Sequence, residues 1–234
     1  MISIIIPVGT EKNIEQYKKI LDSTESQDVV TERIWVGGSE EIQNWLLSQK
    51  EHHISAPGLN RAARMNLGIQ KAKYDCFLLN HPRSVLQKGA LGELSRLIQS
   101  KNSDQAYWGC FTHKFMGEET LLKRFTSWYS NQIRCAANNV VYLDHCFYLS
   151  RQMYKQIGLL PEEDIFEDSL LSYKLRDQAP CKRLESISLT SDVRFKKQGF
   201  AKQAILNQFV KILFLAGVSP PKINEIYEKG LWLN

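Results

Sequence analysis

The stretch Cys76–Leu91, CFLLNHPRSVLQKGAL, decides how the chain is read. Phe77, Leu78 and Leu79 form an unbroken apolar run, the pattern of a strand buried on both faces. Asn80, His81 and Pro82 end it abruptly, and Gly89 precedes a helical pattern over Leu91, Leu94, Leu97 and Ile98. In a parallel α/β sheet the loop after such a strand lies at the carboxyl edge, where ligands bind. Here that loop carries His81, Arg83 and Ser84, which are donors and cations. Taken alone, the loop reads better as a solvated turn stopped by Pro82, and the neighbouring stretches shift that balance.

Upstream, strand and helix patterns alternate. Ile2–Val8 is β-branched and apolar, a buried first strand. Thr10 and Glu11 open a helix whose apolar face holds Ile14, Tyr17, Ile20 and Leu21. Arg33–Val36 reads as a second strand closed by Gly37-Gly38-Ser39, and a helical face of Ile42, Trp45 and Leu46 follows. A short strand over His53–Ala56 precedes the Pro57-Gly58 turn. Asn60 caps a helix to Lys73 with Ala62, Met65, Ile69 and Ala72 on one face. This alternation predicts a mostly parallel central sheet flanked by helices.

Downstream, Tyr107–Phe115 reads as a strand. Leu121, Phe125, Trp128, Tyr129 and Ile133 fall at helical spacing and are expected to be core. Val140–Leu149 reads as a strand interrupted by Asp144-His145, and Leu184–Leu189 as a last short strand. The helix over Ala201–Ala216 places Ile205, Phe209, Ile212, Leu213 and Ala216 on one face, and Pro220-Pro221 starts another helix. No linker or repeat breaks the chain, so the expectation is one domain over residues 1–234.

Composition narrows the function classes. The chain is 43% hydrophobic and 24% charged, with net charge +5, enough for a core and too weakly basic to argue for nucleic acid. Its five cysteines are odd in number, far apart and without paired ligand spacing, which argues against both a zinc site and a disulfide framework. No basic leader or transmembrane-length run is present, so the expected location is cytoplasmic. Peripheral membrane contact through the C-terminal amphipathic helix and Arg194, Lys196, Lys197 and Lys202 is the variant of that expectation.

Several residues invite a chemical reading. An ionised Asp144 inside an apolar strand is costly unless paired. Glu167-Asp168 begins a helix, where acidic residues suit the dipole, and where one could also serve as a general base. Arg61, Arg64, Arg83 and Arg194 offer bidentate donors to phosphate.

In order and spacing, these segments resemble a GT-A fold glycosyltransferase of family two. ISIIIPVGTE resembles the opening strand, and RIWVGGSEE the second strand. NRAARMNLGIQKAKYDCFLLNHPRSVLQKGAL resembles the Gly-Arg-Ala, Met-Asn-x-Gly, His-Ala-Asp and Pro-Gly-Ala-Leu series. LDHCFYLSRQMYKQIGLLPEEDIFEDSLLSYKLR resembles the Asp-Gln turn and Glu-Asp helix. The ending, SDVRFKKQGF and LAGVSPPKINEIYEK, is similar to a bacterial branch labelled arsenosugar-biosynthesis glycosyltransferases. The resemblance implies a nucleotide-diphosphate-sugar donor bound over residues 1–100 and an unidentified acceptor against residues 101–234. It makes Asp168 the base for inverting transfer, with Asp144, His145 and Glu167 on the acceptor side. Pro7, Glu11, Val36, Arg61, Asn66, His81 and Arg83 would line the donor. Two positions depart from the family pattern. The nucleotide-contacting Asp of the second strand falls on Val36, and the metal-binding Asp of the family's DxD motif falls on Arg83. The Mn or Mg ion expected of the family therefore lacks its ligand, and no metal or other cofactor is expected. An inactive homologue that keeps binding is the alternative.

Overall fold

A computed structural model describes residues 1–9, 14–25, 28–102, 104–193 and 200–229, with backbone alone at 200, 201 and 204. Thr10, Glu11, Arg194, Lys196 and Lys197 lie outside the described residues. The strands are β1 (Ile2–Val8), β2 (Thr31–Gly37), β3 (His52–Ile54), β4 (Cys76–Leu79), β5 (Ser84–Leu86), β6 (Trp108–Phe115), β7 (Phe147–Ser150) and β8 (Lys182–Thr190). They form one mixed sheet in the order β3-β2-β1-β4-β7-β6-β8-β5. The expected neighbours β2, β1 and β4 are adjacent and parallel. All seven residues of β1 are buried, which explains its lack of alternation.

Helices cover the sheet: α1 (Ile14–Thr24), α2 (Glu40–Ser48), α3 (Arg61–Lys71), α4 (Ala90–Gln99), α5 (Leu121–Trp128), α6 (Arg151–Ile157), α7 (Glu167–Arg176), α8 (Phe200–Leu215) and α9 (Pro220–Lys229). Asn60 caps α3 by accepting a hydrogen bond from the Ala63 N–H at 2.9 Å. Helix α3 packs close on β1 because Gly68 has no side chain. A Cβ there would lie 2.5 Å from Ile5 Cγ2.

Pairing direction brings distant segments to one edge. Strand β7 runs antiparallel to β4, with Leu79 opposite Phe147, so the residues that precede β7 meet the loop that follows β4. Strand β5 runs antiparallel to β8, with Ser84 opposite Thr190, which places the end of β8 there too.

Two sequence expectations are corrected. Val140–Leu149 is not one interrupted strand. Leu143–His145 is a 3₁₀ turn before β7. This turn buries Leu143 and His145 and leaves the Asp144 side chain 36% exposed. The stripe on α5 is not core: Leu121 is 82% exposed, Phe125 60% and Trp128 50%. Helix α5 continues into a π-helix over Tyr129–Ala137, which turns Ser130, Asn131 and Cys135 inward instead. On α8 the face of Ile205, Phe209 and Ile212 is the exposed one. Leu206 and Val210 pack with Ile223 and Phe166.

Candidate active site

The site is assembled where the loop after β4, the turn before β7 and the start of α7 converge. Asn80, fully buried, fixes the first loop by donating through Nδ2 to the carbonyls of His81 (3.1 Å) and Ser84 (3.2 Å). The turn before β7 is fastened through the carbonyl of Asp144. That oxygen accepts from the hydroxyls of Ser188 (2.7 Å), Ser84 (3.1 Å) and Thr190 (3.2 Å). These hydroxyls come from β5 and β8, so the strand pairing itself sets where Asp144 stands.

Two residues beside the site hold left-handed backbone. Cys146 has φ 54° and Phe166 has φ 62°. Such conformations cost free energy in a non-glycine residue and persist where surrounding contacts fix them. Phe166 is held by its ring, stacked on Phe214 of α8 with centroids 4.5 Å apart. The next residue, Glu167, opens α7.

Around this frame cations and carboxylates alternate. Arg61 forms a short ion pair with Glu167. Its Nη1 lies 3.3 Å from His81 Nε2. His81 Nδ1 lies 3.5 Å from Asp144 Oδ1 and accepts from the Arg83 backbone N–H at 3.1 Å. Burial works against ionisation of Asp144, but His81, Arg83 and Arg61 outweigh it and hold its carboxyl at about 2. Glu167 responds the other way. It is only 2% exposed, and burial pushes its carboxyl up to about 7 despite Arg61. Its Oε2 is buried with no hydrogen-bond partner among the described residues.

That shift has a measurable sign. The unfolded chain releases the Glu167 proton near 4.5, whereas the folded chain keeps it to about 7. Between these values the native state binds more protons, so stability falls as pH rises. Glu167→Gln removes this loss. In chemical denaturation at a series of pH values, the stability of the variant relative to the wild type rises from pH 4.5 to above 7. A difference that stays flat with pH would place the proton elsewhere.

The site brings together some of the residues named from sequence and absorbs others. Arg61, His81, Arg83, Asp144, Glu167 and Asp168 gather at one sheet edge. Asp168 accepts from the Leu143 N–H through Oδ2 at 3.1 Å, which ties α7 to the Asp144 turn. Val36 and Pro7 are buried at the ends of their strands, Val36 in an apolar cluster with Ile34 and Ala62. Asn66 is buried too. It spends its amide on Leu160 (N–H to Oδ1, 2.9 Å; Nδ2 to O, 3.1 Å) and on Glu162. His145 lines no open face: it is fully buried, with Nε2 2.7 Å from Ser130 Oγ and Nδ1 3.0 Å from the Phe111 carbonyl. Sequence reading missed Tyr142. Its ring is flanked by Arg134 at 3.7 Å and Lys211 at 5.4 Å, and its buried hydroxyl has no partner among the described residues. No local spacing links those three positions.

The residues present do not suit a hard divalent cation, which takes oxygen ligands. Arg61, His81 and Arg83 lie among the carboxyls of Asp144 and Glu167, and their nitrogens supply no oxygen ligand. Among the described residues, the one group of three or more potential ligand atoms within 4.8 Å of one another is made of cysteines elsewhere in the fold.

No family model matches the sequence, and no curated protein does. Solved structures match the fold. S. aureus TarS aligns at TM-score 0.57 and 14% identity over 82% of this chain and 35% of that one. TarS 1–349 in complex with UDP-GlcNAc aligns at 0.60 and 14% identity, over 81% of this chain and 58% of that one. Its complex with UDP gives 0.61 and 12%, over 81% and 60%. The fold is that of a GT-A glycosyltransferase. This GT-A fold spans about a third to three fifths of the TarS chains. In it, the gathered cations stand at the carboxyl ends of the parallel strands β1, β2 and β4.

Proposed function

We propose that this protein transfers a sugar from a nucleotide-diphosphate donor to an acceptor hydroxyl with inversion, using side-chain cations in place of a divalent metal. The observation that carries this reading is the pair of guanidinium groups, Arg61 and Arg83, gathered with His81 beside Asp144, Glu167 and Asp168 at the carboxyl edge of β4. The likeness to TarS, solved with UDP-GlcNAc and with UDP, supports the donor class. In the proposed reaction the acceptor oxygen attacks the anomeric carbon as the bond from that carbon to the diphosphate breaks. The bonding pair leaves with the diphosphate, whose charge Arg83 compensates. Asp168 takes the hydroxyl proton. Glu167 positions Arg61, and Asp144 and His81 hold the loop that carries Arg83.

Calorimetric titration of UDP and UDP-GlcNAc tests the reading. Binding that is equal in chelator and in manganese supports it. Metal-dependent binding would mean that other oxygen ligands rebuild an ion site. Absence of binding would favour the inactive relative, a reading to which the engagement of Asp168 with Leu143 lends weight.

We also propose that the exposed apolar side chains of α5 and α8 rest on a lipid surface. Phe125 stacks near Trp128 (5.9 Å) and Tyr129 (6.5 Å) while all three stay exposed, and Arg124 beside them is exposed too. The exposed row Ile205, Phe209, Ile212 and Leu215 belongs to the helix that meets this element at Tyr142. Aromatic and aliphatic side chains flanked by cations suit the headgroup boundary. The full chain should co-sediment with vesicles containing phosphatidylserine, and Phe125→Ser with Phe209→Ser should abolish this. Wild-type protein left in the supernatant would refute the contact.

A further inference from the structure

Three cysteines that lie far apart in sequence meet in one place. Cys110 comes from β6, Cys135 from the π-helix and Cys181 from the segment just before β8. Their sulfur atoms are separated by 3.5 Å (Cys110 to Cys135), 3.8 Å (Cys135 to Cys181) and 4.0 Å (Cys110 to Cys181). A point equidistant from all three lies roughly 2.2 Å from each, against a zinc–thiolate bond of about 2.3 Å. We infer that Cys110, Cys135 and Cys181 form a three-thiolate site for a single thiophilic d¹⁰ cation, Zn²⁺ or Cu⁺.

The surroundings support a built site over chance packing of small apolar residues. Asn139 fastens the Cys135 and Cys181 segments to each other. Asn139 donates its N–H to the Cys135 carbonyl (2.9 Å), and its Oδ1 accepts from the Cys181 N–H (2.7 Å). Asn139 itself holds a left-handed φ of 52°, which turns the chain back toward Cys181. The π-helix is what points Cys135 inward, and π segments are frequent at functional sites. Charge also fits. Arg183 lies opposite Cys110 in the β6–β8 pairing, and its Nη1 is buried without a hydrogen-bond partner among the described residues. Three thiolates with one divalent ion carry a single net negative charge, which that guanidinium would balance. Soft thiolate ligands select Zn²⁺ and Cu⁺ over the hard cations of phosphate chemistry. The site also has a mechanical consequence. Cys110 Sγ lies 3.8 Å from His145 Nδ1, so a bound ion would tie β6, the π-helix and β8 behind the turn that presents Asp144.

The test uses the full reduced chain, titrated anaerobically with Zn²⁺ and, separately, with Cu⁺ against a chromophoric chelator. One equivalent of at least one of the two ions should bind. Co²⁺ should give thiolate-to-metal charge-transfer absorbance at the same stoichiometry. Cys181→Ser, at the partly exposed position, and Cys135→Ser should each weaken binding by roughly a hundredfold or more, beyond the effect usual for residues that only orient ligands. Cys76→Ser, which removes a buried thiol outside the cluster, should leave binding unchanged. If neither ion binds stoichiometrically, or if Cys181→Ser binds as the wild type does while keeping its thermal unfolding transition, the three thiols are packing and the inference falls. The arm that binds identifies the ion, and none of these readouts depends on the transfer reaction.

Discussion

Asp168→Asn should lower turnover by about a hundredfold to ten thousandfold, the usual contribution of a positioned general base, while UDP affinity stays nearly unchanged. The split follows from where a base acts. It takes the acceptor proton as the new bond forms, so it stabilises the transition state and adds little to ground-state binding of the donor. The substitution is chosen to spare the fold. Asp168 Oδ2 accepts from the Leu143 N–H at 3.1 Å, and an asparagine oxygen can accept the same bond. Asp168→Ala would break that link between α7 and the Asp144 turn and confuse a structural loss with a chemical one. The measurement is UDP release from UDP-GlcNAc under turnover, set beside calorimetric UDP affinity. Wild-type turnover in Asp168→Asn would remove Asp168 from the mechanism. Glu167, with its raised carboxyl and a buried oxygen lacking a partner, would then be the next base to test.

The parts of this protein that were legible in its sequence are those governed by short-range pattern. The buried run at Phe77–Leu79, the β-branched run at Ile2–Val8 and the cap at Asn60 each report a local cause. All three appear in the fold. The loop of His81 and Arg83 was legible for the same reason, since strand order puts it at the carboxyl edge. What escaped depends on contacts between distant positions. A helical stripe at Leu121, Phe125 and Trp128 is apolar whether it faces a core or not, and only the neighbours decide. Asp144-His145 read as one polar interruption, but the 3₁₀ turn separates their fates: Asp144 points to the site and His145 into the core. Asn66 matched a donor-side position, yet the 160–162 segment folds over it and takes both ends of its amide. The cysteine cluster could not be read at all, because metal-ligand spacing is a local signal and these residues are 25 and 46 positions apart.

Arg83→Ala should weaken UDP binding by roughly ten- to a hundredfold, and by the same factor in chelator and in manganese. Hydrogen bonds to charged groups contribute about 1.5–3 kcal/mol, and a guanidinium offers two parallel donors to phosphate oxygens. Position decides that Arg83 is the residue to remove. It follows the carboxyl end of β4, its charge reaches Asp144, and its carbonyl accepts from the Ser191 N–H at 3.0 Å, which holds its backbone against the segment after β8. Arg61 is a poorer choice. It is paired with the buried Glu167, and removing it would strip that carboxyl of its partner and confuse a structural loss with a loss of binding. Lys at position 83 separates charge from geometry. Arg83→Lys keeps the positive charge and loses the planar fork, so it should restore only part of the affinity. Equal binding by the wild type and Arg83→Ala would mean that the diphosphate lies elsewhere along the edge. A larger loss in manganese than in chelator would mean that the arginine acts beside a metal and does not replace it.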